Sequence, residues 1–366
     1  MNPNSRPKVT ILYLLYHAER TVPELVQALT NQRHPQHSQQ SNWLEAIFID
    51  DCSQDSTRRV LTHELSKLGN PPHYSTVFHT QNQGLAHSLN HGFKLARADF
   101  VLTCHCDVLF ESDDYVAALL NLMEKTPQAA SITGHPNLPK KRTLSFFEKV
   151  NTVANLMDIL PRDPQSSSLI PIGFAEGRCD LFRASAMSQI GYYGSELRTS
   201  GEDQILAARL RSHGFEIYQA PHLSYSLSVS EEQNTLFRLA RHVYLFGSTH
   251  PYILFKIKGT HHGILGTHAG SNRKLRTLLR LFQLIFFFAY LVCLILLLFK
   301  QFIPILFLLG SVFVCKLFIF RKHLKLVHMS GLELFWFYAY QPVLDFSYSM
   351  GFFQGLLIIL RRPAPS

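Results

Sequence analysis

The stretch Ala98-Asp99-Phe100-Val101-Leu102-Thr103-Cys104-His105-Cys106-Asp107 has the pattern of an apolar strand that ends in polar residues able to act as ligands. Residues two apart on a strand project from the same face, so His105 and Asp107 are expected to point the same way. Open α/β sheets bind their ligands at the carboxyl ends of their strands. A carboxylate and an imidazole at that place could hold a divalent metal ion against a diphosphate. The alternative is structural, a surface carboxylate after a buried strand beside a histidine whose hydrogen bonds are satisfied.

Strands and helices alternate along the residues that precede this stretch. Val9–Tyr16 is a continuous apolar run with β-branched residues, which is typical of a strand buried on both faces. The sequence predicts two further strands, at Leu44–Ile49 and Tyr74–His79. It also predicts three helices, at Pro23–Gln32, Asp55–Leu68 and Gln83–Arg97. This alternation predicts a doubly wound, largely parallel α/β sheet. The sequence contains neither G-x-G-x-x-G nor G-x-x-x-x-G-K-[ST], which argues against a dinucleotide-binding fold and a P-loop.

The positive charge of the chain is concentrated in its second half. The formal net charge is +9, and no Asp or Glu lies between Glu232 and Glu333, an interval with thirteen Lys and Arg residues. The remainder of the chain is therefore mildly acidic. Basic residues that flank long apolar runs indicate attraction to anionic lipid headgroups rather than to nucleic acid. We expect a membrane as partner and no nucleic acid.

Two apolar segments predict a transmembrane helical hairpin. Leu281–Phe299 contains no charged residue, and Phe302–Phe320 contains only Lys316, so each segment is close to the length needed to cross a bilayer. Basic clusters lie before the first segment and after the second, which places both ends on the cytoplasmic side by the positive-inside rule. A hairpin buried in a protein core is the alternative.

A third apolar segment, Leu332–Leu360, carries a polar stripe. Its members fall at multiples of four residues along a predicted helix, at Glu333, Gln341, Asp345 and Ser349. The spacing of Gly351 and Gly355 allows close helix packing. The segment is predicted to be interfacial, re-entrant or a third transmembrane helix. Asp345 is either a functional polar group within the membrane or a residue that faces the headgroups.

The cysteines and the N-terminus indicate a reducing compartment. The six cysteines show no paired spacing of a disulfide framework. Cys104 and Cys106 flank His105, but no second Cys/His pair has zinc-type spacing, which disfavours a zinc site. Residues 1–8 lack the apolar core of a signal peptide, so we expect the front half to lie in the cytosol.

Residues 8–225 resemble the family 2 glycosyltransferases, which have a GT-A fold. Ile49–Thr57 is similar to the motif VDDGSxDxT, and His105-Cys106-Asp107 lies where the family has D-x-D. Other matching segments are the opening strand and helix from Val9 to Gln32, Asn82–Gly92 with the pattern NxGxxxARNxG, and Gly201–Leu206 with the pattern EDxxL. The chain lacks the Q-x-x-R-W motif of processive synthases, so we expect one sugar to be added per acceptor.

The resemblance implies a donor site at the ends of these strands. It implies Mg²⁺ or Mn²⁺ as cofactor, held by Asp107 with His105, since hard cations prefer oxygen ligands. The family often has a further His after the strand that follows the ED helix; the nearest position here is Ser226, and His222 lies four residues earlier, so the resemblance assigns no third metal ligand. Residues implied to bind the nucleotide sugar are Asp50, Asp51, Ser53, Gly84, Asn90 and His105. The oxygens of Asp51 could accept the N3–H of a uracil- or thymine-type base, whereas turn and cap chemistry is the alternative for Asp50 and Asp51.

The resemblance also implies catalytic roles for two acidic residues. Asp203 would be the general base that removes the proton of an acceptor hydroxyl, with Glu202 orienting or assisting. A purely structural capping box over Ser200-Gly201-Glu202-Asp203 is the alternative. Direct displacement by the acceptor oxygen would invert the configuration of the sugar.

These features together predict an α/β, GT-A-type catalytic domain followed by an α-helical transmembrane segment. The predicted division is a catalytic domain at 1–230, a basic juxtamembrane region at 231–280, the hairpin at 281–320 and the third apolar segment at 332–360. The predicted protein is a multi-pass membrane enzyme with its catalytic domain on the cytoplasmic side. It would move a sugar from a UDP-, dTDP- or GDP-linked donor to a hydroxyl of a lipid or lipid-linked acceptor. Alternatives are a polyprenyl-phosphate sugar synthase and a catalytically idle membrane scaffold.

Overall fold

A computed structural model describes residues 6–34, 43–140, 142–155, 168–174, 177–194, 200–228, 234–256 and 271–361. The chain forms two compact units. The sheet unit comprises Met1–Leu138 and Arg162–Ser228, and the helical unit comprises Pro139–Pro161 and Val229–Ser366.

The sheet unit is built on a mixed nine-stranded sheet. Its strands are β1 Val9–Leu15, β2 Leu44–Asp50, β3 Tyr74–Phe78, β4 Phe100–His105, β5 Val108–Phe110, β6 Ala129–Asn137, β7 Ile170–Pro171, β8 Cys179–Arg183 and β9 Glu216–Leu227. Its helices are α1 Val22–Thr30, α2 Thr57–Lys67, α3 Leu85–Leu95, α4 Tyr115–Lys125, α6 Ala184–Gln189 and α7 Glu202–Ser212.

The strand order is β3-β2-β1-β4-β8-β6-β9-β5, with β7 paired to β9. The first four strands pair in parallel, which confirms the doubly wound pattern predicted from the alternation. The sheet becomes mixed beyond β4, because β8 runs antiparallel to both β4 and β6. The register aligns Leu15 with Asp50 and Leu14 with His105, so the polar residues that end β2 and β4 lie at one edge.

The centre of the sheet is apolar on both faces. Every residue of β1 is buried, as expected for a central parallel strand covered by helices on both sides. Helix α3 packs closely on this strand at Gly92, where an added Cβ would lie 2.2 Å from a side-chain atom of Leu12. This close packing fixes α3 against the central strand of the sheet.

The helical unit contains three helices that are long and apolar enough to cross a membrane. Its helices are α5 Phe146–Ala154, α8 Leu236–Lys256, α9 Ser271–Leu298, α10 Phe302–Val327 and α11 Gly331–Arg361. The predicted hairpin at 281–320 falls on α9 and α10. The third apolar segment forms one continuous helix of 31 residues that passes through Pro342.

The boundary predicted at residue 230 differs from the observed units in one segment. Residues 139–161 group with the helical unit because α5 contacts α10 and α11 and because Lys149 Nζ lies 2.9 Å from a carboxylate oxygen of Glu333. Within the predicted juxtamembrane region at 231–280, residues 236–256 form α8, whereas 257–270 lie outside the described residues.

The polar stripe of α11 faces other helices of the unit. Asp345 is fully buried and pairs with the ammonium of Lys316 on α10 at 2.7 Å, which excludes the prediction that it faces the headgroups. Tyr290 on α9 donates to the same carboxylate at 3.1 Å. Glu333, at the start of the stripe, instead pairs with Lys149 of α5.

Helices α8 and α11 cross through glycines. An added Cβ at Gly351 would lie 2.1 Å from the carbonyl oxygen of Tyr244, and one at Gly355 would lie 2.1 Å from that of Ser248. Gly247 on α8 is equally close to the carbonyl of Tyr348. The close packing predicted from the spacing of Gly351 and Gly355 is therefore realised against α8.

Candidate active site

Asp51 organises the loop between β3 and α3. Its Oδ1 accepts the backbone N–H of Gln83 at 2.8 Å and its Oδ2 accepts that of Gly84 at 2.8 Å. Gly84 has φ 85°, a left-handed conformation that favours glycine. The carboxylate at the end of β2 thus shapes the loop that follows the neighbouring strand.

Two histidines extend from this carboxylate. Nδ1 of His79 lies 2.9 Å from Oδ1 of Asp51, and Nε2 of His79 lies 3.1 Å from Nδ1 of His91 on α3. A carboxylate only accepts hydrogen bonds, so Nδ1 of His79 is the donor. The Asp51–His79–His91 chain holds the Asp51 carboxylate in one orientation. The sequence motif did not indicate His79, because its role depends on β3 lying beside β2.

Three of the residues assigned to donor binding, Asp50, Ser53 and Asn90, have partners within the chain. Asp50 is fully buried, and its carboxylate accepts from Arg58 at 2.6 Å and from the hydroxyl and backbone N–H of Ser53. Asn90 donates to the carbonyl of Tyr193 at 2.8 Å and accepts the backbone N–H of the same residue at 2.9 Å. These side chains position the loops around Asp51 and α3. For Asp50, this is the alternative role in turn and cap chemistry.

His105 and Asp107 lie at the end of β4, next to Arg178. The strand ends at His105, and 106–107 form a turn, so strand alternation does not set the direction of Asp107. Burial lowers the pKa of His105 to about 4, although the nearby Asp107 carboxylate opposes this. The imidazole is therefore neutral near pH 7 and has a lone pair to offer a metal ion.

Two buried atoms in this group have no hydrogen-bond partner among the described residues, Nε2 of His105 and Oδ1 of Asp107. Both fit a divalent cation, and the diphosphate and water would supply the other ligands of Mg²⁺. The described part of the chain has no group of three His, Cys, Asp or Glu side chains that could hold a metal ion. Among these described residues, His222 is therefore not grouped with His105 and Asp107.

Arg178, which directly precedes β8, pairs with Asp107 of the metal-type pair (His105 and Asp107) and acts by its charge on Glu202 of the acidic pair (Glu202 and Asp203). Its Nη1 lies 3.1 Å from Oδ2 of Asp107, and its carbonyl accepts the backbone N–H of His105 at 2.9 Å. Its positive charge also acts on Glu202. Sequence analysis missed Arg178, since no motif places residue 178 beside residue 107.

Glu202 and Asp203 open α7. The N-cap residue is Gly201 with φ 88°, which has no side chain to cap the helix, so Ser200 does not occupy the N-cap position of the predicted capping box. Asp203 Oδ1 accepts the backbone N–H of Gln204 at 2.8 Å. Burial raises the pKa of Glu202, opposed in part by a backbone hydrogen bond and by Arg178.

Tyr193 connects the acidic pair to the donor side of the site. Its burial raises the pKa of its phenol, and the charges of Asp180, Glu202 and Asp203 act in the same direction. Asn90 of α3 holds the backbone of the same tyrosine. Helix α3 is in this way linked to the start of α7.

The comparisons with known proteins agree with this geometry. The fold is that of the GT-A class, and residues 10–191, about half of the chain, match the model of the family described as "Glycosyl transferase family 2". The chain therefore contains a domain of family 2 glycosyltransferases.

The curated relatives include poly-β-1,6-N-acetyl-D-glucosamine synthases of two staphylococci. The Staphylococcus epidermidis protein is 25% identical over 215 residues, covering 58% of this chain and 48% of the relative. The Staphylococcus aureus (strain COL) protein is 23% identical over 223 residues, covering 60% and 50%. The chain spans about half the length of these relatives.

Two solved structures share the fold. The mannosyltransferase PcManGT from Pyrobaculum calidifontis, in complex with GDP-Man and Mn²⁺, aligns with a TM-score of 0.55 at 15% identity, covering 97% of this chain and 88% of the other. The 1–349 fragment of S. aureus TarS aligns with a TM-score of 0.50 at 16% identity, covering 95% and 92%.

Proposed function

We propose that this protein is a membrane-anchored inverting glycosyltransferase that moves one sugar from a nucleotide donor to a hydroxyl of a lipid or lipid-linked acceptor. The observation that carries the proposal is the grouping around Arg178. This arginine contacts Asp107 of the metal-type pair and acts on Glu202 at the start of α7. A leaving diphosphate and an attacking hydroxyl need these two kinds of group close together.

Asp51 would recognise the base of the donor. Its carboxylate is fixed by His79 and by two backbone N–H groups, yet each carboxylate oxygen has two lone-pair directions. Oδ2 accepts from Gly84 and retains capacity for the N3–H of a uracil- or thymine-type base. Because Gly84 carries no side chain, the backbone here can approach the nucleotide closely.

Asp107 and His105 would hold Mg²⁺ or Mn²⁺ through the two buried atoms that lack partners. When bound, such an ion would offset the negative charge that develops on the departing diphosphate. The contribution of the chain itself is to present a carboxylate oxygen and a neutral imidazole at the edge of the sheet where the donor binds.

Asp203 would take the proton of the acceptor hydroxyl as its oxygen attacks the anomeric carbon. An attack from the face opposite the leaving group inverts the configuration in one step. Glu202, whose pKa is raised by burial, would orient the acceptor or share its proton. A phosphate acceptor needs no base, so this acidic pair favours a hydroxyl over the polyprenyl-phosphate alternative.

Membrane anchoring is supported by the lipid-compatible surface of α9, α10 and α11. Large apolar side chains such as Leu298, Ile303 and Phe307 are exposed on these helices. Lys322 and Lys325 follow the apolar part of α10, and a basic cluster precedes that of α9. The positive-inside rule then puts the sheet unit on the cytoplasmic side. Labelling of Gln301→Cys with an impermeant maleimide tests this, because that residue should react only from the opposite side.

The proposal is tested by transfer assays with the full chain in lipid nanodiscs. Labelled UDP-N-acetylglucosamine, UDP-glucose, dTDP-rhamnose and GDP-mannose are each offered with a bacterial lipid extract and Mg²⁺ or Mn²⁺. The N-acetylglucosamine and mannose donors are included because of the names of the relatives and of PcManGT. Transfer to lipid from one donor is expected, with loss in Asp107→Asn and no loss in the remote control Asp99→Asn. Folded protein that neither transfers nor hydrolyses any donor would support the scaffold alternative instead.

A further inference from the structure

We propose that Arg178 binds the diphosphate of the donor directly, so that part of the nucleotide affinity does not require a divalent cation. This inference rests on the proposed function, since it assigns a further residue to the same donor site. It concerns a side chain that lies outside every motif that the sequence analysis identified.

The first observation is the charge balance at the end of β4. Asp107 is a single carboxylate, and Arg178 already pairs with it at 3.1 Å. Within this pair the positive charge of the Arg178 guanidinium offsets the negative charge of the Asp107 carboxylate. A diphosphate that approaches Asp107 therefore meets a carboxylate whose charge is already offset, even before a cation binds.

The second observation is how the guanidinium is held. Arg178 uses its carbonyl to accept the N–H of His105, so its backbone is fixed at the junction of β4 and β8. Its side chain is 29% exposed, which leaves it accessible to a ligand from solvent. A guanidinium is a planar fork of five N–H donors, a geometry that matches phosphate oxygens in pairs.

The third observation is the position of Arg178 between the two halves of the site. It contacts Asp107 on one side, and its charge acts on Glu202 on the other. The bond that breaks in the proposed reaction joins the sugar to the diphosphate, between the cation ligands and the base. A fixed positive charge there would stabilise the leaving group in the transition state more than in the ground state.

A purely structural role, in which Arg178 only orients Asp107, makes a different prediction. In that case the loss of Arg178 would weaken only the metal-dependent part of binding, as the loss of Asp107 does. Direct phosphate binding predicts that the two substitutions affect different parts of the affinity. The two roles can therefore be separated by measuring binding with and without a cation.

The experiment is isothermal titration calorimetry of the full chain in detergent with UDP, dTDP and GDP, each in Mg²⁺ and in EDTA. The wild type should retain measurable binding of one nucleotide in EDTA. Arg178→Gln should weaken that metal-free binding by roughly ten- to a hundredfold, the usual worth of a charge-assisted hydrogen bond. Asp107→Asn should keep the metal-free binding and lose the increase that Mg²⁺ gives.

Arg6→Gln is the matched control, because Arg6 pairs with Asp99 at 2.7 Å before β4 begins, at the opposite end of that strand. It should leave both affinities unchanged. Arg178→Lys keeps the charge without the fork and should bind at an intermediate level, which serves as the readout if Arg178→Gln does not fold. Two results would refute the role of Arg178 but not the proposed function. They are wild-type binding that vanishes in EDTA, and Arg178→Gln binding in EDTA that equals that of the wild type. No binding of any nucleotide even with Mg²⁺ would refute the proposed function as well.

Discussion

At the scale of single residues, the donor side of the site depends on how one carboxylate is oriented. Asp51 receives three hydrogen bonds, from His79 and from two backbone N–H groups of the following loop. His79 is itself held by His91. In the proposed role of Asp51 in base recognition, a carboxylate that is fixed before the ligand arrives loses less conformational entropy on binding.

Replacement of His79 should therefore weaken nucleotide binding without changing the fold. His79→Ala removes a hydrogen bond to a buried carboxylate, and we expect nucleoside diphosphate affinity to fall by roughly tenfold or more. Titration calorimetry of the variant measures this, with the exposed residue His63 changed to Ala as control. Equal affinities of the two variants would mean that His79 does not position Asp51.

Sequence motifs could predict some residues of the candidate site but not their long-range partners. Motifs could locate five candidate site residues, because each lies directly at the end of a strand or the start of a helix. They are Asp51, His105, Asp107, Glu202 and Asp203. Arg178 could not be located in this way, since its contact with Asp107 joins residues 71 apart through the pairing of β4 with β8. The partner of Asn90 could not be predicted either, because Tyr193 lies 103 residues away in the sequence.

At the scale of elements, local chemistry fixes the helix ends. Helix α5 begins with a capping box in which Ser145 Oγ accepts the N–H of Glu148 and Glu148 accepts the N–H of Ser145 at 2.8 Å. Arg142 adds a hydrogen bond to the same carboxylate at 2.8 Å. Sequence patterns did not predict this helix, because it is short and packs within the helical unit.

Glu148 should make stability depend on pH. Burial alone would raise its pKa, but the hydrogen bonds from Arg142 and Ser145 outweigh burial and lower the pKa below its ordinary value of 4.5. A lowered pKa gives stability that is present above about pH 4.5 and is lost as the pH falls through the folded-state value. Glu148→Gln keeps a side chain that can form the capping box but removes the charge that pairs with Arg142, which should cost roughly 0.5–1 kcal/mol at pH 7.

The difference between Glu148→Gln and the wild type should shrink as the pH falls below 4.5. Thermal unfolding in detergent at pH 7, 5 and 4 measures it, with the exposed residue Glu124 changed to Gln as control. A difference that stays constant from pH 7 to 4 would show that the charge of Glu148 does not contribute.

At the scale of the whole molecule, each unit has its own kind of core. The sheet unit is centred on apolar strands, whereas the helical unit buries the ion pair of Lys316 with Asp345 among its apolar helices. Gln341 adds a hydrogen bond to Lys316 at 3.2 Å. The polar stripe of α11 could be predicted from its spacing, but Lys316 as its partner could not, because helix packing decides it.

Removal of one member of this pair should destabilise the helical unit strongly. Asp345→Asn leaves the Lys316 ammonium buried without its counter-charge, a loss of about 3–5 kcal/mol in protein interiors. The exchanged pair Lys316→Asp with Asp345→Lys should recover part of the loss. Unfolding in mixed detergent measures it, with the exposed residue Lys322 changed to Met as control. A normal transition for Asp345→Asn would show that the pair does not hold the helices together.

The most direct test of the central claim is the turnover of Asp203→Asn, measured with the donor and acceptor found in the transfer assay. If Asp203 is the general base, kcat should fall by roughly 10²–10⁴. Nucleotide affinity and the unfolding transition should stay close to those of the wild type. Asp114→Asn, which changes the N-cap of α4, is the matched control and should keep full turnover. Near-normal turnover of Asp203→Asn, with a loss of about 1 kcal/mol in stability, would instead identify Asp203 as a helix cap and contradict the mechanism.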